Sequence, residues 1–182
     1  FENFDLAGLK KLGFISDIKN LPEIEERIIS FFGLKNIFEY KDEILTRVAF
    51  SKTKVSSSDK LRAFWIRTAY AQFEAINNPN EFDRDRLKQL ISRIKPYSRN
   101  VKEGFFTVCK ALYHAGVSVI FQRHIPKTQV RGATFVIQNK PCIIITDLNK
   151  RYGTIWFALL HELFHALYHL EDIKTRSFHL TG

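Results

Sequence analysis

Through residue 115 the apolar side chains recur three and four positions apart, the spacing of helices that bury one face. Phe4 to Gly13 reads as a short helix closed by its glycine, and Asn20 to Gly33 as a clearer one. The second has Pro22 and acidic residues in its first turn and Gly33 just past its end. A third short helix is expected over Ile37 to Thr46. Asp59 to Asn77 carries Leu61, Phe64, Trp65, Ala69, Phe73 and Ile76 on one broad face and is stopped by Asn77-Asn-Pro-Asn80. A further helix runs from Asp83 to Lys95, ended by Pro96. Asn100 with Glu103 three residues later resembles a capping box for a helix reaching Ala115. From Gly116 the period shortens toward two. Val117–Gln122 and Ala133–Gln138 read as strands, and Asn139-Lys140-Pro141 turns the second into Cys142–Thr146. Asp147 to Gly153 is a loop, and Thr154 is placed to cap a final apolar helix. Helices, then a small three-stranded sheet, then one more helix make an α+β domain rather than a repeating βαβ one.

Ser51-Lys-Thr-Lys-Val-Ser-Ser-Ser58 is polar and serine-rich, and marks the best internal boundary. It divides an N-terminal helical linker region, 1–57, from a second region, 58–182. Apolar content of 45% and 17 Phe in 182 residues supply a substantial core. No apolar run approaches the length of about 18 residues that a membrane-spanning helix needs, and the start, Phe1-Glu-Asn-Phe-Asp, has no signal-peptide pattern. The chain has no Met, which suggests a piece of a longer product. Cys109 and Cys142 fall in a helical and a strand pattern and read as buried thiols of a cytoplasmic protein, not a disulfide framework. A net charge of +9 suits an acidic partner or nucleic acid. It is spread along the chain without a dense basic cluster, so a solvated basic surface is the simpler reading.

The chemistry concentrates in the last helix. Thr154 to His169 contains His161-Glu162-Leu-Phe-His165 amid Ile155, Trp156, Phe157, Leu159, Leu160, Leu163 and Leu167. Histidines four residues apart project from one helix face, and two imidazoles so placed grip one Zn²⁺ at about 2.0–2.1 Å each. Glu162 is rotated about 100° from His161, close to the metal but off the line of its ligands. That position suits a general base acting on a water that the metal acidifies. The plain alternative is a polar edge on an amphipathic helix. Against it, ionisable groups in such apolar surroundings cost several kcal/mol unless paired or ligated.

Residues 116–169 carry a Gly-Val-x-Val-x-Phe strand, Arg131-Gly132-Ala133 entering a hairpin, an Ile-Ile-Ile strand, Trp156-Phe157, and the His161-Glu162-x-x-His165 helix. This series resembles the ImmA/IrrE family of zinc metallopeptidases. Residues 1–115 look like the linker region of longer members. In these, an Xre-type helix-turn-helix precedes the peptidase-like domain, often in phage regulators or HigA-like antitoxins. The resemblance implies that His161 and His165 are zinc ligands and Glu162 the general base. It places a third ligand, a Glu on the following helix, 20 to 30 residues on and so beyond Gly182. Phe164 stands where many relatives have Gly. Inside the chain His169, Glu171, Asp172 and His179 are poor substitutes for the third ligand. Two protein ligands alone imply weak zinc affinity, with water completing the sphere.

Three functions follow as expectations. The first is hydrolysis of a peptide bond in a regulatory protein, the substrate adding as a strand along an exposed sheet edge, with Tyr152 or His179 as candidate oxyanion partners. The second is a non-catalytic regulatory or antitoxin module of an Xre-type transcription factor that acts by binding protein. The third is direct DNA binding through the basic charge, with an affinity falling steeply as salt rises. DNA contact through a helix-turn-helix outside this chain fits the resemblance better than the third. Neither the partner nor the oligomeric state is readable.

Overall fold

The computed structural model describes residues 4, 6–11, 13–41, 57–124, 130–148, 150–176 and 178–181. Helices α1 (Leu6–Lys11), α2 (Leu21–Phe32) and α3 (Ser57–Ile76) come first. They are followed by α4 (Arg84–Arg93), α5 (Gly104–His114), β1 (Ser118–Gln122), β2 (Gly132–Ile137) and β3 (Lys140–Thr146). Then come α6 (Tyr152–Tyr168), α7 (Leu170–Arg176) and β4 (Phe178–Thr181). Short 3₁₀ turns cover Ile37–Lys41 and Lys95–Arg99. The architecture is α+β, as the order of patterns implies. Among the described residues no helix is long and apolar enough to cross a membrane.

The chain forms two compact units, 1–68 and 69–182, divided within α3. Residues 51–56 of the serine-rich stretch lie outside the described residues, as do residues 42–46 of the third expected helix, while the cut drawn from sequence at 57/58 falls between the first two residues of α3. In the first unit Asn20 Oδ1 accepts the Glu23 N–H at 3.3 Å and opens α2. Gly33 closes it at φ 65°, a left-handed conformation natural to glycine, with the Leu34 N–H bonded back to Ile29 O at 2.9 Å. The buried face of α2, Ile24 and Ile28, belongs to a core that includes Leu9, Ile15 and Trp65. Phe14, Phe31 and Phe64 meet with ring centroids 5.1–5.2 Å apart.

In the second unit the sheet order is β1-β3-β2-β4. β1 pairs with β3 in parallel, and β2 is antiparallel to both β3 and β4. β3 is central and buried on both faces, which explains its unbroken Cys142-Ile-Ile-Ile run. Ile143 and Ile145 join Leu87, Val108, Leu112, Trp156, Leu159 and Leu163 in the main core. On the opposite face Phe135 packs against Tyr70 and Phe73, with centroids at 5.1 and 6.3 Å.

Four local expectations change. The hairpin turns at Gln138 and Asn139, both at positive φ (51° and 62°), the two-residue geometry that matches strand twist. Lys140 and Pro141 already belong to β3, and Pro141 is tolerated because β1 begins to pair only at Cys142. Asn100 Oδ1 does accept the Glu103 N–H at 3.1 Å, but it caps a turn before α5, which starts at Gly104. Thr154 is not a cap: α6 begins three residues earlier than a cap there implies, after Arg151, and the Thr154 N–H bonds Arg151 O at 3.0 Å. Finally, the sheet gains the fourth strand β4, whose register sets His179 opposite Thr134 and Thr181 opposite Gly132.

Candidate metal centre

The 17 residues of α6 carry His161, Glu162 and His165, and His169 caps the helix C-terminus. One flank of the helix (Trp156, Leu159, Leu163, Ala166) is buried in the core, which fixes its rotation. His161 and His165 then stand partly exposed on an adjoining face, one turn apart. Their rings converge. Nε2 of His165 lies 3.1 Å from Nε2 of His161, and the ring centroids are 4.7 Å apart. A cation bound about 2.0–2.1 Å from each nitrogen with near-tetrahedral angles separates them by about 3.3 Å. The two residues therefore fit a shared Zn²⁺ as a pair of its ligands with a small adjustment.

Glu162 takes a different direction. Its side chain is fully buried, and Oε2 accepts the hydroxyl of Thr134 on β2 at 2.6 Å. Buried carboxylates are costly unless a donor meets them, and hydrogen bonds to charged groups contribute about 1.5–3 kcal/mol. The sheet makes room for this carboxylate at Gly132. A Cβ there would sit 2.8 Å from Glu162 Oε1 and 2.9 Å from its Cγ. Thr134 and Gly132 are two apart on β2, so both face α6. Sequence reasoning noticed Gly132 only as part of a family series and missed Thr134, because a threonine in a strand carries no signal until the strand is set against the helix.

His169 continues the ladder. Its Nδ1 lies 2.9 Å from Nδ1 of His165, and the rings are 5.1 Å apart. It meets the nitrogen of His165 that points away from His161. Among the described residues no group of three or more His, Cys, Asp or Glu side chains is arranged to hold a metal ion. Glu171 is exposed and bonded to Lys174 at 2.7 Å, and Asp172 is exposed. The His179 side chain lies outside the described residues, although its backbone is part of β4. Tyr152 is not at the site, since its hydroxyl donates to Asn100 O at 3.0 Å. Nine residues along α6 put it about 13 Å from His161.

Around the histidines the surface is aromatic. Phe157 stacks on His161 at 6.2 Å, and Phe164 meets the rings of His165 and His169 edge-on at 6.0 and 5.4 Å. Phe157, Phe164 and Tyr168 are 61%, 50% and 54% exposed, and Leu160 continues their stripe. A helix that leaves four large apolar side chains uncovered next to polar ones marks a contact surface more often than a solvated face.

No family model, curated protein or solved structure matches this chain.

Proposed function

We propose that this chain carries a zinc metallopeptidase-like domain that hydrolyses a peptide bond in a regulatory protein. The observation behind the reading is the meeting of the His161 and His165 Nε2 atoms at 3.1 Å beside the glutamate between them. The resemblance to the ImmA/IrrE series supports the same assignment. His161 and His165 would hold Zn²⁺, which when bound supplies Lewis acidity at the scissile carbonyl and at the attacking water. Glu162 would take a proton from the attacking water and pass it to the departing amine, so the peptide C–N bond and one O–H of water are broken as the new C–O and N–H bonds form, and the carboxylate is regenerated. Thr134 orients the carboxylate through Oε2. Apolar side chains of the peptide seat on the Phe157–Leu160–Phe164–Tyr168 stripe. The outer edge of β2 is taken by β4, so a peptide added as a strand on that side pairs with β4.

The full burial of Glu162 favours a second reading, in which its carboxylate is a structural tie to Thr134. The domain is then a non-catalytic regulatory or antitoxin module that binds protein through the same aromatic stripe. Glu162→Gln separates the two in a co-expression assay with the partner. On the peptidase reading, cleavage falls by about 10²–10⁴-fold while zinc uptake is kept. An effect on the partner that survives the substitution unchanged assigns the module to binding.

A further inference from the structure

His161 and His165 of α6 and His169 at its C-cap form a continuous line, His161 Nε2 to His165 Nε2 at 3.1 Å and His165 Nδ1 to His169 Nδ1 at 2.9 Å. A neutral imidazole carries one proton on one nitrogen, so proton positions along the line are linked. Two arrangements satisfy both contacts. In the first, His169 donates to His165 Nδ1 and His165 donates from Nε2 to His161. In the second, His161 donates to His165 Nε2 and His165 donates from Nδ1 to His169. Only the second leaves His165 Nε2 with a lone pair, and only a lone pair binds a cation. For a cation to sit between the Nε2 atoms, His161 would move its proton by exchange with water from Nε2 to Nδ1 and stay neutral, while the contact at His169 is unaltered.

We propose that His169 is a positioning residue for the metal: its Nδ1 accepts the His165 Nδ1–H and holds that ring in the tautomer whose Nε2 faces the site. Metal-bound histidines generally donate their other N–H to such a partner, and its loss typically costs 10–100-fold in affinity. Here the partner is the residue that caps the helix C-terminus, four residues on, and its backbone N–H donates to His165 O at 2.9 Å, which ties the orienting group to the ligand through one turn. The ring of Phe164, 5.4 Å from His169 and 6.0 Å from His165, walls the pair on one side. This places His169 outside the ligand set, consistent with its approach to the far nitrogen. The assignment rests on the zinc reading above, but the tautomer itself is readable without metal.

The test uses the 182-residue chain, His169→Phe, which keeps bulk and removes the acceptor, and His169→Asn, whose side-chain oxygen restores an acceptor near Nδ1. Nitrogen shifts of ¹⁵N-histidine-labelled, metal-free protein are recorded at about pH 8, above the ordinary imidazole pKa of about 6.5. Zn²⁺ affinity is measured by competition with a chromophoric chelator. Expected are a protonated Nδ1 on His165 in the wild type, loss of that preference in His169→Phe with about 10–100-fold weaker zinc binding, and recovery of both in His169→Asn. A protonated Nε2 on His165 in the wild type overturns the proposal by itself. So does a His169→Phe variant with an unchanged tautomer and affinity, or a His169→Asn variant no better than it. If the wild type takes up no zinc, the metal reading fails and the nitrogen shifts alone decide the role of His169.

Discussion

Thr134 and Glu162 hold each other in place across the gap between strand and helix, and the consequences are specific to single atoms. Thr134→Val keeps the shape and leaves the carboxylate without its 2.6 Å donor. It is expected to destabilise the second unit by about 1–3 kcal/mol in chemical denaturation, whereas Thr134→Ser should stay close to wild type. Equal losses for the two would mean that the methyl group, not the hydroxyl, matters. Gly132→Ala drives a methyl against the carboxylate, and overpacking of this kind costs about 1–3 kcal/mol. A double variant with Glu162→Ala should recover part of that loss, because the clash is with Glu162 itself. The spacing of His161, Glu162 and His165 was legible because a helix converts sequence distance into direction. Thr134 was not, because it meets Glu162 only once the register of β2 against α6 is set.

Elements carry their own tests. At the start of α2 the Ser16 hydroxyl donates to Glu23, and its backbone N–H donates as well, at 3.1 Å. These bonds, the side-chain one first, hold the Glu23 carboxyl below its ordinary value. A carboxyl that is more acidic in the folded state contributes stability above its unfolded pKa and loses it as pH falls through the folded one. Ser16→Ala should therefore raise the Glu23 pKa and lessen the acid dependence of α2, as read by carbonyl chemical shifts. An unmoved titration would deny Ser16 this role. Periodicity identified the long helices well, since they bury one face, whereas the hairpin was legible from its β-branched apolar runs on either side of a polar turn, β3 being buried on both faces. The pattern misplaced the turn, because Gln138 gives no sign of adopting positive φ, and it missed β4, because Phe178–Thr181 is too short to show a period. The helix start slipped by three residues because Thr154 looks like a cap and Arg151 does not, yet backbone geometry begins the helix after Arg151.

For the molecule as a whole, the α+β order was readable because the change of period at Gly116 is abrupt. Cys109 and Cys142 are free, as their separation between a helix and a strand suggested, and burial pushes both thiols up to about 12. Iodoacetamide near neutral pH should modify neither in the folded chain and both in denaturant, counted by mass spectrometry, since only thiolates react. Rapid labelling of the folded protein would place them at the surface. The account turns on whether the two converging imidazoles share a cation, and calorimetric titration of Zn²⁺ into the 182-residue chain addresses that most directly. The account predicts one Zn²⁺ per chain at modest affinity, kept in Glu162→Gln and lost in both His161→Ala and His165→Ala. A wild type that takes up no zinc, or a His165→Ala variant that titrates like it, would contradict it.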